Sequence, residues 1–286
     1  METAIGSVVE YLGNVIITTL LQLFVLMGPG LVLGLFMHLV AGGLDRLATR
    51  AIGWKLYYAL FSFLGTIVHE LGHAFFNVIF GHKILNMKLT NRDPSQGETA
   101  HVAYSYNPHN IYQRIGVFFS AIGPILFGTI VIYLMAILLL GPDEFEPLRN
   151  MQTTAKMFSS VEGIGLLLTG ILGGAFDSLA NILTIANLGD WKLWVFLYLA
   201  FSVGSNISLS PADLKGAATG FISLATVVLL LNLITLWMGD YITRGVQFIG
   251  QLNGIFYSVM LIALMLSLIG TFLMFIILIL RRLAQR

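Results

Sequence analysis

Hydrophobic residues fill most of the chain in long, nearly unbroken runs. Stretches without Asp, Glu, Lys or Arg cover 11–44, 115–142, 193–212, 216–239 and 245–280. A transmembrane helix needs about 20 consecutive apolar residues, so each stretch is long enough to span a bilayer. A sixth segment, 54–80, is apolar apart from Lys55 and a His/Glu cluster, and the aromatic residues at its start suit a membrane interface. The pattern therefore predicts about six transmembrane helices.

Two regions depart from this pattern. The segment 157–190 is apolar but rich in Gly and interrupted by Asp177 and Asn181, which leaves open a re-entrant or surface-lying helix pair and a seventh span. The loop 81–114 alternates polar and apolar residues on both sides of the turn sequence NRDPSQGET, which predicts a strand, a turn and a strand. We therefore expect an all-α polytopic membrane protein with a small β-hairpin-like loop.

Composition narrows the class of protein. Of the 286 residues, 57% are hydrophobic and 10% are charged, as in a multi-pass integral membrane protein whose principal partner is the lipid bilayer. A net charge of +1 argues against binding nucleic acid, and the absence of Cys excludes disulfides, iron–sulfur clusters and thiol nucleophiles. The first basic residue is Arg46, so the first apolar segment lacks the basic start of a cleaved signal peptide.

The sequence HELGH lies inside the apolar segment 54–80. On a helix, His69 and His73 project from one face about one turn apart, so both imidazoles can reach one metal ion while Glu70 lies beside them. Three protein ligands would leave one position of a tetrahedral Zn²⁺ for water, with Glu70 as the general base. Ionisable residues in a membrane helix each cost about 2.5 to 3.5 kcal/mol, which makes a chance occurrence of this cluster less plausible than a zinc site.

A third ligand is needed, and the segment SNISLSPADLKGA offers Asp213. Pro211 and Gly216 can break the helix there, which would let the carboxylate turn inward. The alternative is that Asp213 only caps a helix that begins near Leu214. Asp177 is a competing carboxylate in an apolar setting. The other histidines are not first-choice ligands. We expect His38 to lie in the interior with its hydrogen bonds satisfied. We expect His82, His101 and His109 to meet solvent or lipid headgroups.

Topology links the two halves of this site. The histidines and Asp213 meet if 157–190 returns to the face it left, because the second and fourth spans then run parallel. This requirement favours six crossings over seven and places both termini on one side. The lysines and arginines are almost evenly divided between the two sides, and the cluster Arg281, Arg282 and Arg286 favours termini on the inside.

These residues resemble the site-2 protease family, membrane-embedded zinc metalloproteases. The resemblance covers a core of 54–217, preceded by a helix in 1–53 and followed by two helices in 218–286, all in one membrane domain. HELGH matches the first family motif, and GPILFG at 123–128 resembles its Gly-Pro element. The second family motif has an Asn, a Pro and then Leu-Asp-Gly, whereas this chain has NISLSPADLKG.

The resemblance implies roles for individual residues: zinc ligands His69, His73 and Asp213, catalytic base Glu70, and a substrate-positioning role for Asn206. It implies hydrolysis of peptide bonds in or near transmembrane segments of protein substrates, with the hairpin either offering a strand edge to the unwound substrate or serving as a passive interfacial loop. A metal-binding transporter and a non-catalytic membrane chaperone of the same fold are the alternatives. A free carboxylate next to a histidine pair favours the protease over the transporter.

Overall fold

The computed structural model describes residues 2–90, 99–143, 161–237 and 241–285. Within them, a π-helical turn, Tyr58–Ser62, joins the second and third helices. The helices are α1 Glu2–Ile52, α2 Trp54–Tyr57, α3 Phe63–Ile79, α4 Ile111–Leu139, α5 Val161–Ile182, α6 Ile185–Leu188, α7 Trp191–Gly204, α8 Pro211–Thr235 and α9 Tyr241–Ala284, and the strands are β1 Lys83–Lys88 and β2 His101–Ser105. The protein is thus an all-α polytopic membrane protein with a small two-stranded sheet.

Six helical segments of the described part are long and apolar enough to cross a bilayer: Gly6–Ile52, Trp54–Ile79, Ile111–Leu139, Gly165–Ile182, Pro211–Thr235 and Ile255–Ala284. The number of candidate spans equals the predicted six, but one member of the set is wrong. The predicted span 193–212 contains only the 14-residue helix α7, whereas part of the ambiguous segment 157–190 meets the criterion. Pro211 explains why α7 and α8 are not one continuous helix, because the residue before proline avoids the helical conformation and Ser210 is extended (φ −70°, ψ 163°).

Helix α7 runs in the same direction as α3. Its Tyr198 hydroxyl donates to Leu60 O at 2.5 Å, and further along both elements His69 Nδ1 lies 2.9 Å from Asn206 O. The two helices are therefore parallel, as the predicted site requires.

Helix α8 continues in that direction. Gly216 faces Ala121 and Gly220 faces the backbone of Phe118, so α8 is antiparallel to α4. Helix α4 is itself antiparallel to α3, because Gly72 contacts Gly123 whereas Phe80, at the end of α3, contacts Gly116. Helices α7 and α8 therefore form one interrupted crossing, in which residues 205–210 are the non-helical break.

The first and last helices are parallel. The Tyr257 hydroxyl donates to Leu26 O, and Arg281 Nη1 donates to Ala51 O at 2.8 Å. The C-terminal ends of α1 and α9 therefore lie together, and the two chain termini lie at opposite ends of the bundle. The expectation that both termini share a side is wrong, because α1 and α9 run in the same direction.

The predicted hairpin is confirmed. Strands β1 and β2 are antiparallel, with Lys83 opposite Ser105, Lys88 opposite His101 and an irregularity between Ile84 and Asn86. The sheet packs on α3. The predicted turn at 91–98 lies outside the described residues.

Candidate metal centre

Two histidines of α3 form the centre of the site. His69 Nδ1 lies 2.9 Å from Asn206 O, and His73 Nδ1 lies 2.8 Å from Ser120 O. A backbone carbonyl only accepts hydrogen bonds, so each Nδ1 is the donor and each Nε2 is the ring atom left to face a metal ion. This is the arrangement in which histidine binds a metal through Nε2 and is oriented through Nδ1.

The donor atoms converge. The Nε2 atoms of His69 and His73 are 3.2 Å apart, and Asp213 Oδ1 lies 3.4 Å from His73 Nε2. Two nitrogen lone pairs at this distance repel unless a cation or an additional proton lies between them. Ligands bound at about 2.0 to 2.1 Å in a tetrahedron are about 3.3 to 3.4 Å apart. These three residues are therefore a group that could hold one metal ion.

Asp213 caps α8 and is also placed to be a metal ligand, the two roles that the sequence leaves open. Ser210 is the N-cap of α8, its Oγ accepts from Asp213 N at 3.2 Å, and Asp213 Oδ2 accepts from Ser210 N at 2.8 Å. This reciprocal pair is a capping box. The cap occupies Oδ2 and leaves Oδ1 to face His73, so capping the helix also orients the carboxylate toward the histidines.

Asn206 secures the break between α7 and α8 against the histidine helix. Its Oδ1 accepts from Ser62 Oγ at 2.9 Å, its Nδ2 donates to Ser202 O at 3.0 Å, and its carbonyl orients His69. The side-chain amide is thus occupied by the protein itself. A role for Asn206 in positioning substrate remains a prediction.

The π-helical turn Tyr58–Ser62 joins α7 to the start of α3. Such a turn disturbs the regular helical hydrogen bonding, and carbonyls there have side-chain partners: Leu60 O accepts from Tyr198, and Phe61 O accepts from Ser202 Oγ at 2.7 Å. The sequence analysis does not predict the backbone carbonyls and hydroxyl groups that hold these residues in place. Only the Ser-x-x-Asp spacing of the capping box is a recognisable sequence signal for one of them.

Glu70 is the buried carboxylate next to this group. Its side chain is 7% exposed, and its Oε2 has no hydrogen-bond partner among the described residues. The charge of Asp213 acts on it electrostatically. A buried carboxylate oxygen without a partner is costly and is typically explained by a ligand, an ion or a catalytic role.

The structure leaves the other candidate ligands outside the site. Among the described residues, the only group of three or more potential ligands close enough for one ion is His69, His73 and Asp213. Asp177 is exposed on α5, and His101 and His109 are exposed near the hairpin. The expectation of an exposed His82 is wrong, because His82 is 6% exposed and buried under the hairpin.

Comparisons of the chain with protein-family models, with curated proteins and with solved structures gave no match. The resemblance to the site-2 protease family therefore rests on the residues themselves.

Proposed function

We propose that this protein is an intramembrane zinc metalloprotease that hydrolyses peptide bonds in or near transmembrane segments of membrane proteins. The observation that carries the proposal is the convergence of two Nε2 atoms 3.2 Å apart and the Asp213 carboxylate, with the unpartnered Oε2 of Glu70 beside them.

The donor set favours zinc. Two imidazoles and one carboxylate are a typical ligand set of catalytic zinc, in which a fourth position is left for substrate or water. His69, His73 and Asp213 would hold the ion, and both histidines have the backbone partners that a zinc ligand needs. When bound, Zn²⁺ would polarise the peptide carbonyl and acidify a water molecule.

Glu70 is suited to the general-base role. Burial without a hydrogen-bond partner leaves its oxygen free to accept a proton. As the oxygen of water bonds to the carbonyl carbon, Glu70 would take the proton and later deliver it to the leaving amine.

Close packing of α3 on α4 holds this part of the site. Gly72, two residues after Glu70, packs directly on Gly123, which leaves no room for a larger side chain between the two helices.

The position of the site points to the substrate class. The ligands lie on α3 and α8, which belong to two of the candidate membrane spans, so the bond to be cleaved lies within or near the bilayer. A substrate helix must unwind to expose a peptide bond, and its freed backbone groups then need partners. The outer edges of β1 and β2 offer such partners by strand addition.

A metal-binding transporter is the second candidate. Interrupted membrane helices with ionisable residues at the break are common in transporters, and α7 and α8 form such an interruption. The absence of cleavage by the parent protein, together with metal-dependent transport in vesicles, would favour this candidate.

The deciding experiment replaces Glu70 by Gln. Glu70→Gln keeps size and shape but cannot accept the proton, so zinc content and melting temperature should equal those of the parent while cleavage of a model transmembrane substrate falls by roughly 10²-fold or more. Glu10→Gln makes the same chemical change at an exposed position of α1 and should leave cleavage unchanged. Cleavage by Glu70→Gln at the parent rate would overturn the protease proposal.

A further inference from the structure

The hairpin is anchored to the helices that carry the site. His82, just before β1, has Nδ1 2.7 Å from Asn77 Oδ1 and Nε2 2.8 Å from Gln113 O. Burial lowers the pKa of His82, so the neutral ring donates through Nε2 and accepts at Nδ1. A 180° rotation of the Asn77 amide supplies the required donor and pairs its otherwise unpartnered Nδ2. The start of the hairpin is thus tied to α3 and α4 together.

Tyr104 of β2 is held by this anchor. Its ring stacks on His82 with centroids 5.2 Å apart and an angle of 8° between the planes. From there the phenol reaches Ser120, and the charge of Asp213 acts on it. Since Ser120 O orients His73, Tyr104 lies next to the residues that build the candidate metal centre.

The Tyr104 hydroxyl can donate a hydrogen bond, and its contact with Ser120 does not hold it firmly. Burial raises the pKa of the phenol, with the Ser120 contact opposing, so the group stays protonated at neutral pH. The Ser120 contact is weak, because the fully buried Ser120 Oγ makes no hydrogen bond of normal geometry. A hydroxyl in this state can turn to a new acceptor at the site.

We propose that Tyr104 is a substrate-binding residue of this site, whose O–H donates a hydrogen bond to the carbonyl oxygen of the peptide bond to be cleaved. This inference rests on the proposed protease function. As the oxygen of water bonds to the carbonyl carbon and its proton passes to Glu70, an electron pair of the C=O bond moves to the carbonyl oxygen. A donor aimed at that oxygen stabilises the developing negative charge.

Tyr106 provides a matched control on the same hairpin. It is 37% exposed, and its ring is 5.6 Å from His82 but tilted by 37° rather than stacked. Tyr106 directly follows β2, and its ring centroid is 6.5 Å from that of Tyr104. Replacing Tyr106 by Phe therefore removes a hydroxyl beside Tyr104 and leaves the Tyr104 hydroxyl in place.

The test compares Tyr104→Phe with Tyr106→Phe in the purified, zinc-loaded protein. Tyr104→Phe keeps the ring stack and loses the donor, so kcat should fall about 10²-fold with KM changed far less, while zinc content and melting temperature stay at parent values. Affinity for a peptide phosphinate, which resembles the tetrahedral anion, should fall by a similar factor to kcat/KM. Tyr106→Phe should equal the parent in every measurement.

Each outcome is decisive. If Glu70→Gln is inactive and Tyr104→Phe cleaves and binds phosphinate like the parent, the role of Tyr104 is overturned while the protease proposal stands. Loss of zinc or of thermal stability in Tyr104→Phe assigns the hydroxyl a structural role and also overturns the inference. Parent-like cleavage by Glu70→Gln removes the protease proposal on which the inference rests.

Discussion

The candidate metal centre lies between a continuous helix, α3, and the interrupted pair α7 and α8, and the two sides are built differently. On α3, the four-residue spacing of His69 and His73 places both imidazoles on one face without outside help. On the other side, Asp213 stands in the first turn of α8 after a non-helical break, and its carboxylate is oriented by the capping box with Ser210. The comparison shows that the helical period places two candidate ligands, whereas side-chain and backbone contacts place the third.

The break also needs partners that the continuous helix does not need. Non-helical backbone in a bilayer is tolerated only where the protein satisfies its polar groups. Here Asn206 O pairs with His69, and Ser210 N donates to Asp213 Oδ2. Two polar backbone groups of the break are thus satisfied by candidate metal ligands, which couples the stability of the break to the integrity of the site.

Removing ligands should give the largest effects and separate the two sides. Purified parent protein should hold about one zinc per chain, and His69→Ala, His73→Ala and Asp213→Ala should each lose most of it. Asp213→Ala should also melt lower, because loss of a helix cap costs about 0.5 to 2 kcal/mol. Asp213→Asn keeps an acceptor for the cap, so it should lose zinc with a smaller loss of stability.

These measurements are metal analysis and thermal unfolding in detergent. Full zinc occupancy in both histidine variants would exclude the proposed centre. Equal melting temperatures for Asp213→Ala and Asp213→Asn would show that the capping box does not stabilise the break.

A side chain at Gly65 should disturb the close contact of α3 with Ser202 and Asn206. A Cβ there would come within 2.1 Å of Ser202 O and 2.5 Å of Asn206 Nδ2, so the break must move away from α3. Gly65→Ala should lower the free energy of unfolding by about 1 to 3 kcal/mol and weaken zinc binding. Gly173→Ala, with nothing within 4 Å of the new Cβ, is the control and should be neutral or slightly stabilising. Equal stability and zinc affinity in the two variants would contradict this close contact.

Ser210→Ala should have the smallest effect and acts on Asp213 alone. It removes the Oγ acceptor of the capping box and leaves the carboxylate in place, so zinc affinity should fall about 10-fold, the lower end of the effect of a partner that orients a ligand. Ser208→Ala makes the same change two residues earlier, where the side chain has no hydrogen bond among the described residues, and should bind zinc like the parent. A competition titration with a chelator measures both affinities, and equal values would argue against the orienting role of Ser210.

Much of this protein is predictable because its signals are local. Long charge-free runs predict most of the candidate membrane helices, since the bilayer requires about 20 apolar residues, and the run 193–212 is the exception. The alternation in 81–114 predicts the hairpin, and the spacing of HELGH places His69, Glu70 and His73 together. The Asp213 prediction also depended on local signals, because Pro211 marks the break.

Contacts between distant segments decided the rest. Hydropathy alone does not distinguish two spans from one interrupted crossing, so the direction of α8 and the opposite location of the termini follow only from packing against α3, α4 and α1. Nothing in the sequence near Ser120 indicates that its carbonyl orients His73, or that Tyr104 reaches the site through its stack on His82. A charge-free run or a four-residue spacing follows from the chain itself, whereas a partner more than forty residues away is set by the helix packing that brings it there.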